Sequence, residues 1–334
     1  MKAFVLRSYG SPDALELTDI PKPSPGPGEV LVRVRATSVQ PWDWHLMRGE
    51  PRVARLMAGG PGLRGPKIKI LGADLSGEVE AVGNGVTRFS PGDAVYAMPK
   101  GGGFGEYACV PETELAPKPG NLTFEQAAAV PLAANTALIA LRDQARVRPG
   151  DKVLVNGASG GVGTFAVQLA KAYGAHVTAV CGTRNLDLMR SLGADEVVDY
   201  TKEDFTRTGS RYDVLLYVAG DRRFAECRRA LTRKGAYVLV GGSPSRWLQP
   251  AGAVFAALAR APFVSQKIRL ADVIGCKENR RNLLALTELI EAGRLTPVID
   301  STYAFEDLPE AMRYQEEGHA AGKVVITFRP ASQA

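Results

Sequence analysis

A run of small residues near the middle of the chain has the composition of a phosphate-binding turn. It lies between an apolar segment, Val153 to Val155, that predicts a buried strand, and a segment from Val162 to Gly174 that predicts a helix with one apolar face. A strand, a glycine turn and a helix place free N–H groups and the positive end of the helix dipole under a phosphate. Glycine is needed there because a Cβ would keep a pyrophosphate away from the backbone. The residues predicted to bind a dinucleotide are Ala158, Ser159, Gly160, Gly161, Val162 and Gly163.

The surroundings of this turn support that prediction, although Ala158 stands where the first glycine of the motif is expected. The turn follows the first of six predicted strands and opens the first helix, which is the context a dinucleotide fingerprint needs. Alternating strands and helices imply a doubly wound parallel sheet, the Rossmann arrangement of the α/β class. The later predicted strands are His176–Val180, Glu196–Val198, Tyr212–Val218, Ala236–Val240 and Lys267–Ile274, and the predicted helices are Phe124–Ala145, Asn185–Leu192, Arg222–Thr232, Gln249–Arg260 and Asn279–Ala292.

The end of the second predicted strand indicates which dinucleotide is bound. An NAD site normally has Asp or Glu about 20 residues past the turn, but no acid follows this strand until Asp187. A hydroxyl, Thr183, and a guanidinium, Arg184, occupy the place instead. Because arginine binds phosphate bidentately and stays charged, we expect NADPH rather than NADH. The alternative is that Arg184 only covers the surface of the short helix that follows.

Both ends of the chain differ from this pattern. Residues 1–35 are predicted to be mainly β structure, residues 36–66 loop-like, and short strands separated by turns recur up to Tyr96, which is typical of an antiparallel, partly closed β domain. The tail from Thr302 to Ile326 is expected to rejoin that domain. We therefore predict a catalytic and substrate domain over 1–123 and 296–334, with a dinucleotide-binding domain over 124–295 inserted in it.

Composition restricts the classes of function. The 334 residues suffice for two domains, and 45% hydrophobic with 23% charged residues is typical of a soluble globular protein. No apolar run is long enough for a membrane span and no signal peptide is recognisable, so we expect a cytoplasmic protein. The four cysteines are far apart and form no C-x-x-C pair, so neither a disulfide framework nor a structural zinc site is expected. This pattern fits a protein of a reducing compartment. The net charge of +6 includes a basic run over 221–234, which reads as a solvated helix face and predicts no nucleic-acid partner.

Motifs spread over nearly the whole length carry a resemblance to a known family. The chain resembles the medium-chain dehydrogenase/reductase superfamily, in its zinc-independent, quinone-oxidoreductase-like branch. Within that branch, Trp42-Asp43-Trp44 and His319–Lys323 are similar to the reticulon-interacting mitochondrial oxidoreductase group. The motifs are Gly26–Val32, Gly72–Gly77, Pro91–Val95, Gly103–Tyr107, Val147–Asp151, the glycine turn, Leu192–Asp195 with Asp199-Tyr200, and Gly322–Val325.

The resemblance implies a GroES-like β-rich N-terminal domain, a Rossmann domain and an active cleft between them. It also implies that Tyr200 packs near the adenosine 2′-phosphate, although Tyr200 could be only a strand-end aromatic residue. Residues implied to approach the nicotinamide half of the cofactor are Val218, Ala219, Gly220, Gly241 and Gly242, of which the last two could be only a turn. Residues implied to line the cleft are Thr136, His319, Ala321 and Lys323.

The chain departs from the zinc-dependent relatives at their metal-binding positions. Gln40 stands where those relatives place a cysteine, Ala73 and Asp74 stand where they place His-Glu, and the cysteine-rich lobe is missing. We therefore expect no metal and no zinc. Without a Lewis acid to stabilise an alkoxide, hydride transfer to an activated acceptor is favoured, which is a quinone or an alkene conjugated to a carbonyl.

The substrate pocket is expected in the loop that holds two tryptophans. The candidate catalytic residues there are Gln40, Asp43 and His45, with Trp44 in the pocket wall. His45 could donate the proton that completes the reduction, because imidazole titrates near neutral pH. The alternative is that His45 and Trp44 simply shape the pocket.

Other functions and assembly states stay open at this point. One alternative is a zinc-free alcohol or aldehyde oxidoreductase, and another is an NADPH-binding sensor or scaffold with little turnover. In the family that the chain resembles, a strand like Lys267–Ile274 often pairs with its twin, and its exposed-edge position favours a homodimer.

Overall fold

A computed structural model of the chain describes residues 1–52, 55, 62–63, 65–241, 264–273 and 275–328. The chain divides into two compact units. The first unit comprises Met1–Leu132, Lys277–Gly293 and Pro297–Ala334, and the second comprises Ala133–Cys276 and Arg294–Thr296. Within the described residues, no helix combines the length and the apolar character that crossing a bilayer requires.

The described residues form fifteen β-strands and eight α-helices. The strands are β1 (Lys2–Leu6), β2 (Leu15–Asp19), β3 (Glu29–Val39), β4 (Leu75–Val82), β5 (Ala94–Ala97), β6 (Tyr107–Pro111), β7 (Leu115–Pro117), β8 (Lys152–Asn156), β9 (His176–Cys181), β10 (Glu196–Asp199), β11 (Tyr212–Tyr217), β12 (Leu231–Leu239), β13 (Lys267–Leu270), β14 (Ile299–Ala304) and β15 (Lys323–Thr327). The helices are α1 (Pro41–Arg48), α2 (Phe124–Ala128), α3 (Pro131–Leu138), α4 (Gly161–Ala172), α5 (Leu186–Ser191), α6 (Phe224–Cys227), α7 (Asn279–Glu291) and α8 (Leu308–Glu316).

The first unit is built on a seven-stranded sheet with the order β14-β15-β3-β4-β5-β7, in which β6 also pairs with β3. The long strand β3 buries Val30, Val32 and Val34 completely or almost completely, because alternate residues of a strand face the same side. Strand β15 pairs antiparallel with β3, with Val324 opposite Val39. The tail of the chain, which was expected to rejoin the N-terminal β domain, thus pairs with a strand of that region.

The region after β3 is more regular than the sequence predicted. Strand β3 runs on to Val39, and α1 follows where residues 36–66 were expected to be loop-like. Pro41 suits the first helical position because its fixed φ is helical and the missing N–H is not needed there. Gly49 ends the helix with a φ of +60°, a conformation that favours glycine. The helix is short, so its own periodicity was too weak to predict it.

The second unit contains a six-stranded parallel sheet with the order β10-β9-β8-β11-β12-β13. This order changes direction at β8, so the predicted doubly wound arrangement is confirmed. Val153, Leu154 and Val155 of β8 are fully buried, as expected of a central parallel strand covered on both faces.

Three predicted elements differ in extent. The helix expected over 124–145 is divided into α2, α3 and a π-helical segment, Ile139–Ala145. The helix expected over 222–232 is shorter, because β12 already begins at Leu231. The sixth strand ends at Leu270, and the helix expected over Gln249–Arg260 lies outside the described residues.

The unit boundaries also differ from the predicted domains. Residues 124–132 and helix α7 group with the first unit rather than with the second. The α7 helix is held there by the hydroxyl of Tyr96, which donates to the Leu283 carbonyl at 2.6 Å, and by the Gly120 N–H, which donates to Glu291 at 2.9 Å. These contacts join distant parts of the chain, so periodicity within α7 could not reveal them.

Candidate cofactor and substrate sites

The turn between β8 and α4 is shaped by close backbone approaches. Gly157 has a φ of +82°, and a Cβ at Gly163 would lie 2.2 Å from the Gly157 carbonyl oxygen. Gly160 caps α4 without a side-chain hydrogen bond, so the first N–H groups of the helix have no side-chain acceptor from the cap residue. A Cβ at Gly160 would meet nothing closer than 3.8 Å within the chain. The turn, called the cradle below, therefore leaves space beside Gly160 at the start of α4, which is the arrangement that a phosphate-binding turn requires.

The carboxyl ends of three central strands meet beside this cradle. Val218, Ala219 and Gly220 directly follow β11, and the Asn156 side chain of β8 donates to the Ala219 carbonyl. A Cβ at Gly241 would lie 2.6 Å from the Val218 carbonyl oxygen. The structure thus brings together these four residues, which were expected near the nicotinamide, whereas Gly242 lies outside the described residues.

The ends of β9 and β10 form a second group of polar residues. Thr183 and Arg184 are exposed after β9, and Tyr200 is 61% exposed after β10. A Cβ at Gly182 would lie 3.4 Å from the Tyr200 hydroxyl, so the tyrosine lies over the end of β9. The three residues predicted to recognise the adenosine 2′-phosphate are therefore neighbours.

Asp199 belongs to this group, although sequence reasoning gave it no role. Its carboxylate accepts hydrogen bonds from the hydroxyls of Thr183 at 2.6 Å and Thr201 at 2.7 Å. These bonds hold the pKa of Asp199 at about 2, so the group is ionised. The acid that seemed absent after β9 is supplied by β10, because parallel strands end at the same edge of a sheet. The Asp199-Tyr200 dipeptide at the end of a predicted strand was the available signal.

The remaining residues that were expected in the cleft are divided between the units. Thr136 lies in α3 of the second unit and is 3% exposed. His319 lies after α8 in the first unit and is exposed, and the nearby Ala321 N–H donates to Asp300 at 2.7 Å.

A buried polar network lies at the start of α1 in the first unit. The ammonium of Lys323 donates to Gln40 Oε1 at 2.9 Å and to Asp74 Oδ2 at 3.2 Å. Asp74 also accepts from the Ser38 hydroxyl at 2.6 Å and from the Leu132 N–H at 2.7 Å. The lysine is 4% exposed and the aspartate 0%, so the pair is shielded from water. Lys323 was expected to bind the cofactor, but its ammonium group donates to Gln40 and Asp74 within this network.

Asp43 joins the network from the first turn of α1. One oxygen accepts from the Gly72 N–H at 3.1 Å, and the carboxyl is 1% exposed. Burial, together with the charge of Asp74, raises the pKa of Asp43 to about 7, against the opposing effect of Lys323. A large fraction of the Asp43 carboxyl is therefore protonated at neutral pH.

His45 is placed unlike a proton donor. Its ring stacks on Trp44 with the ring centroids 3.8 Å apart, and burial lowers its pKa to about 4. The imidazole is thus uncharged at neutral pH and carries no readily released proton. Trp44 and Trp42 pack at the edge of the hydrophobic core that contains Met47.

We expect His45→Phe to change turnover by less than about threefold, because general acid catalysis contributes about 10²–10⁴-fold and this ring is not protonated. Steady-state assays of the purified variant would measure this, with Trp44→Phe as a control for the stacked pair. A 100-fold loss restricted to His45→Phe would restore the acid role to this residue.

Among the described residues, no group of three or more histidine, cysteine, aspartate or glutamate side chains is arranged to hold a metal ion. At the metal-binding positions of the zinc-dependent relatives, the chain has the Gln40 amide and the Ala73 methyl group, and neither is a usual zinc ligand.

Known families cover both parts of the chain. Residues 26–120 match the alcohol dehydrogenase GroES-like domain, and residues 192–326 match the family described as zinc-binding dehydrogenase. The chain is similar to the chloroplastic quinone-oxidoreductase QR1 of Triphysaria versicolor, at 34% identity over 98% of each chain. It is 33% identical to the mitochondrial NAD(P)H oxidoreductase RTN4IP1 of Danio rerio, over 98% of this chain and 91% of that protein. It is also 33% identical to the 2-methylene-furan-3-one reductase of Solanum lycopersicum, over 98% and 79%.

Solved structures agree with this assignment. An NAD-dependent alcohol dehydrogenase superposes with a TM-score of 0.81 at 32% identity, over 98% of this chain and 99% of that one. A mycobacterial protein in complex with NADPH superposes with a TM-score of 0.82 at 26% identity, over the same shares. The predicted combination of a GroES-like domain with a Rossmann sheet is confirmed, and the chain belongs to the medium-chain dehydrogenase/reductase superfamily of NAD(P)H-dependent oxidoreductases.

Proposed function

We propose that this oxidoreductase uses NADPH to reduce a quinone or an alkene conjugated to a carbonyl group. The observation that carries the proposal is the cradle from Ala158 to Gly163, whose free space suits a dinucleotide phosphate. The relatives of the chain include a quinone oxidoreductase and a 2-methylene-furan-3-one reductase, which supports the proposed acceptors. Bound NADPH would supply a hydride to the electron-poor carbon of the acceptor.

The chain's own residues would hold the reactants. The N–H groups at the start of α4 would bind the pyrophosphate, and the strand ends at Val218–Gly220 and Gly241 would position the nicotinamide half. The polar residues of α1 would meet the acceptor. Thr136, His319 and Ala321 remain proposed cofactor contacts.

A panel of acceptors tests the proposed reaction. NADPH consumption is followed with a quinone, an enone and an aldehyde, using dialysed protein of known metal content. Turnover of the quinone or enone supports the proposal. Turnover of the aldehyde alone would favour a zinc-free alcohol or aldehyde oxidoreductase, and tight NADPH binding without any turnover would favour a sensor or scaffold.

The choice of NADPH rests on Arg184, Thr183 and Tyr200, and Asp199 opposes it. An ionised carboxylate repels a 2′-phosphate, and the Thr183 hydroxyl that donates to it no longer donates to a ligand. The guanidinium of Arg184 would outweigh this repulsion through charge-assisted hydrogen bonds. We therefore propose a preference for NADPH that Asp199 keeps moderate.

Two variants measure these opposing effects. Arg184→Ala should lower kcat/KM for NADPH by about 10–100-fold, the equivalent of a hydrogen bond to a charged group, and leave the value for NADH unchanged. Asp199→Asn should raise kcat/KM for NADPH, because it removes a negative charge while keeping an acceptor for Thr183. A wild-type preference for NADH, or equal losses with both cofactors in Arg184→Ala, would contradict the assignment.

We also propose that the protein acts without zinc and as a homodimer. The absence of zinc is supported by the amide of Gln40 and the methyl group of Ala73, which are not usual zinc ligands. Elemental analysis showing one tightly held zinc per chain would refute it.

The homodimer is supported by β13, which is the last strand of its sheet within the described residues and exposes Leu270 by 40%. Light scattering that gives the mass of one 35.6 kDa chain would refute the dimer. A cytoplasmic location remains a proposal as well, testable by cell fractionation.

A further inference from the structure

Two buried polar atoms at the start of α1 have no hydrogen-bond partner among the described residues. They are Gln40 Nε2 and Asp43 Oδ2, on side chains that are 3% and 1% exposed, and His45 Nδ1 is a third such atom later in the same helix. A buried polar group without a partner is costly, so a pair of them on one helical turn indicates a missing ligand. Gln40 is the N-cap of α1 and Asp43 is the third residue of the helix, which places both at the same helix end.

The hydrogen-bond network determines the character of each atom. The Lys323 ammonium can only donate, so the oxygen of the Gln40 amide must face it, and the orphan atom is the NH₂ group, a donor. For Asp43, the facing charged groups are Asp74 and Lys323, which already form a pair. A second buried negative charge here would lack a counter-ion, which favours the neutral acid.

Both orphan groups therefore have a hydrogen to donate. The Gly72 N–H donates to Oδ1 of Asp43, and the Ala73 N–H also acts on this carboxyl, so the proton of the neutral acid belongs on Oδ2, which has no hydrogen-bond partner among the described residues. Two donors that lack an acceptor are complementary to an oxygen that can only accept. A carbonyl oxygen of a quinone or enone is such an atom.

We propose that Gln40 Nε2 and the protonated carboxyl of Asp43 form a two-donor site for the carbonyl oxygen of the substrate. This inference rests on the proposed function and assigns its electrophilic site. Asp43 and Gln40 are catalytic residues in this assignment, whereas Lys323 and Asp74 are positioning residues that orient the amide and supply the local charge balance.

In the proposed reaction the acceptor receives a hydride from NADPH and a proton from Asp43. When the hydride reaches the electron-poor carbon, an electron pair moves to the carbonyl oxygen, and the two donors, on side chains that are 3% and 1% exposed, stabilise the developing oxyanion. The Asp43 O–H bond then breaks and an O–H bond forms on the substrate, giving the enol of the reduced enone or one hydroxyl of the hydroquinone. Asp43 regains its proton from solvent, so each turnover consumes one NADPH and one proton.

Substitutions at Asp43 separate donation from mere structure. Asp43→Leu should lower kcat with a quinone or enone by about 10²–10³-fold, as expected for loss of one oxyanion donor. Asp43→Asn keeps an acceptor for the Gly72 N–H and a hydrogen-bond donor at the second position but cannot release a proton, so its kcat should fall less than that of Asp43→Leu without reaching the wild-type value. Wild-type kcat should fall as pH rises through about 7 because the acid loses its proton, whereas kcat of Asp43→Asn should stay level.

Control variants and a second readout keep the test decisive. Glu112→Gln alters another buried carboxyl of the first unit, which accepts from the Thr87 and Arg88 N–H groups, and should keep the wild-type pH profile. Urea unfolding of the cofactor-free protein gives the second readout. A raised pKa means that the folded state binds the proton more tightly, so wild-type stability should fall between pH 5 and pH 8 by more than that of Asp43→Asn.

The possible outcomes distinguish the two proposals. Wild-type protein that binds NADPH but reduces no quinone or enone overturns the proposed function and the carbonyl site with it. If wild type is active and Asp43→Leu retains its kcat, or Asp43→Asn shows the wild-type pH profile, the carbonyl site alone is overturned. An ordered water bound by the two donors would give this second result. If Asp43→Leu does not fold, the pH profile of Asp43→Asn decides.

Discussion

Replacing Lys323 with methionine is expected to lower the free energy of unfolding by about 3–5 kcal/mol, the usual effect of removing one partner from a buried ion pair. The ammonium contacts Gln40 and Asp74, and it is 4% exposed, so its loss leaves the buried Asp74 carboxylate without its counter-ion. Two hydrogen bonds, from Ser38 and Leu132, would remain to Asp74. Urea denaturation followed by tryptophan fluorescence measures the effect, because Trp42 and Trp44 lie in the helix beside the network.

Arg7→Ala is the matched control for this prediction. Arg7 pairs with Glu16 at 2.9 Å in the same unit, but their side chains are 64% and 54% exposed. Such a surface pair contributes about 0–1 kcal/mol, because water and salt screen it. If Lys323→Met lowered the free energy of unfolding no more than Arg7→Ala does, the buried pair would not stabilise the first unit.

Substitutions in the glycine cradle are expected to have large effects on thermal stability and on NADPH binding. Gly163→Ala places a Cβ 2.2 Å from the Gly157 carbonyl oxygen, so α4 and the turn must move apart. We expect this variant to lose both thermal stability and cofactor binding. Gly160→Ala has 3.8 Å of clearance within the chain and a φ of −78°, which any residue adopts. It should keep the wild-type Tm but bind NADPH about 10²-fold more weakly, equivalent to about 2.7 kcal/mol, because its Cβ projects where the pyrophosphate must approach.

NADPH fluorescence titration and thermal unfolding, measured on both variants, check this difference. Unchanged NADPH affinity in Gly160→Ala would mean that the phosphate does not lie against this turn. A Gly163→Ala variant with the wild-type Tm would mean that α4 shifts without strain. The two readouts thus separate contact with the cofactor from packing of the helix on the turn.

The second unit was largely predictable because its physics is local. Continuous apolar runs such as Val153–Val155 need only a few neighbours in sequence to indicate a buried parallel strand, and a glycine turn after such a strand indicates the cradle. Helix α1 was missed because eight residues with two tryptophans, a proline and a histidine give no clear period. Its start depends on the proline and its end on a glycine with positive φ, which are weak signals alone.

The functional groups that sequence reasoning missed or misjudged all depend on distant contacts. Asp199 reaches Thr183 only because β9 and β10 end together. Burial sets the pKa of His45. The role of Lys323 depends on Gln40 and Asp74, which precede it in the sequence by 283 and 249 positions. A linear motif records which side chains are present, whereas protonation and pairing follow from the packing that surrounds them.

The pairing of β15 with β3 has a consequence for synthesis. The six strands of the second unit lie between Lys152 and Leu270, so all of them are synthesised before β14 and β15. The sheet of the first unit waits for Lys323–Thr327 to fill the place between β14 and β3. Until then Asp74 lacks its lysine and Gln40 lacks the group that orients its amide. A chain that ends before β15 can therefore contain all six strands of the parallel sheet while the residues proposed to hold the substrate carbonyl lack the lysine that orients them.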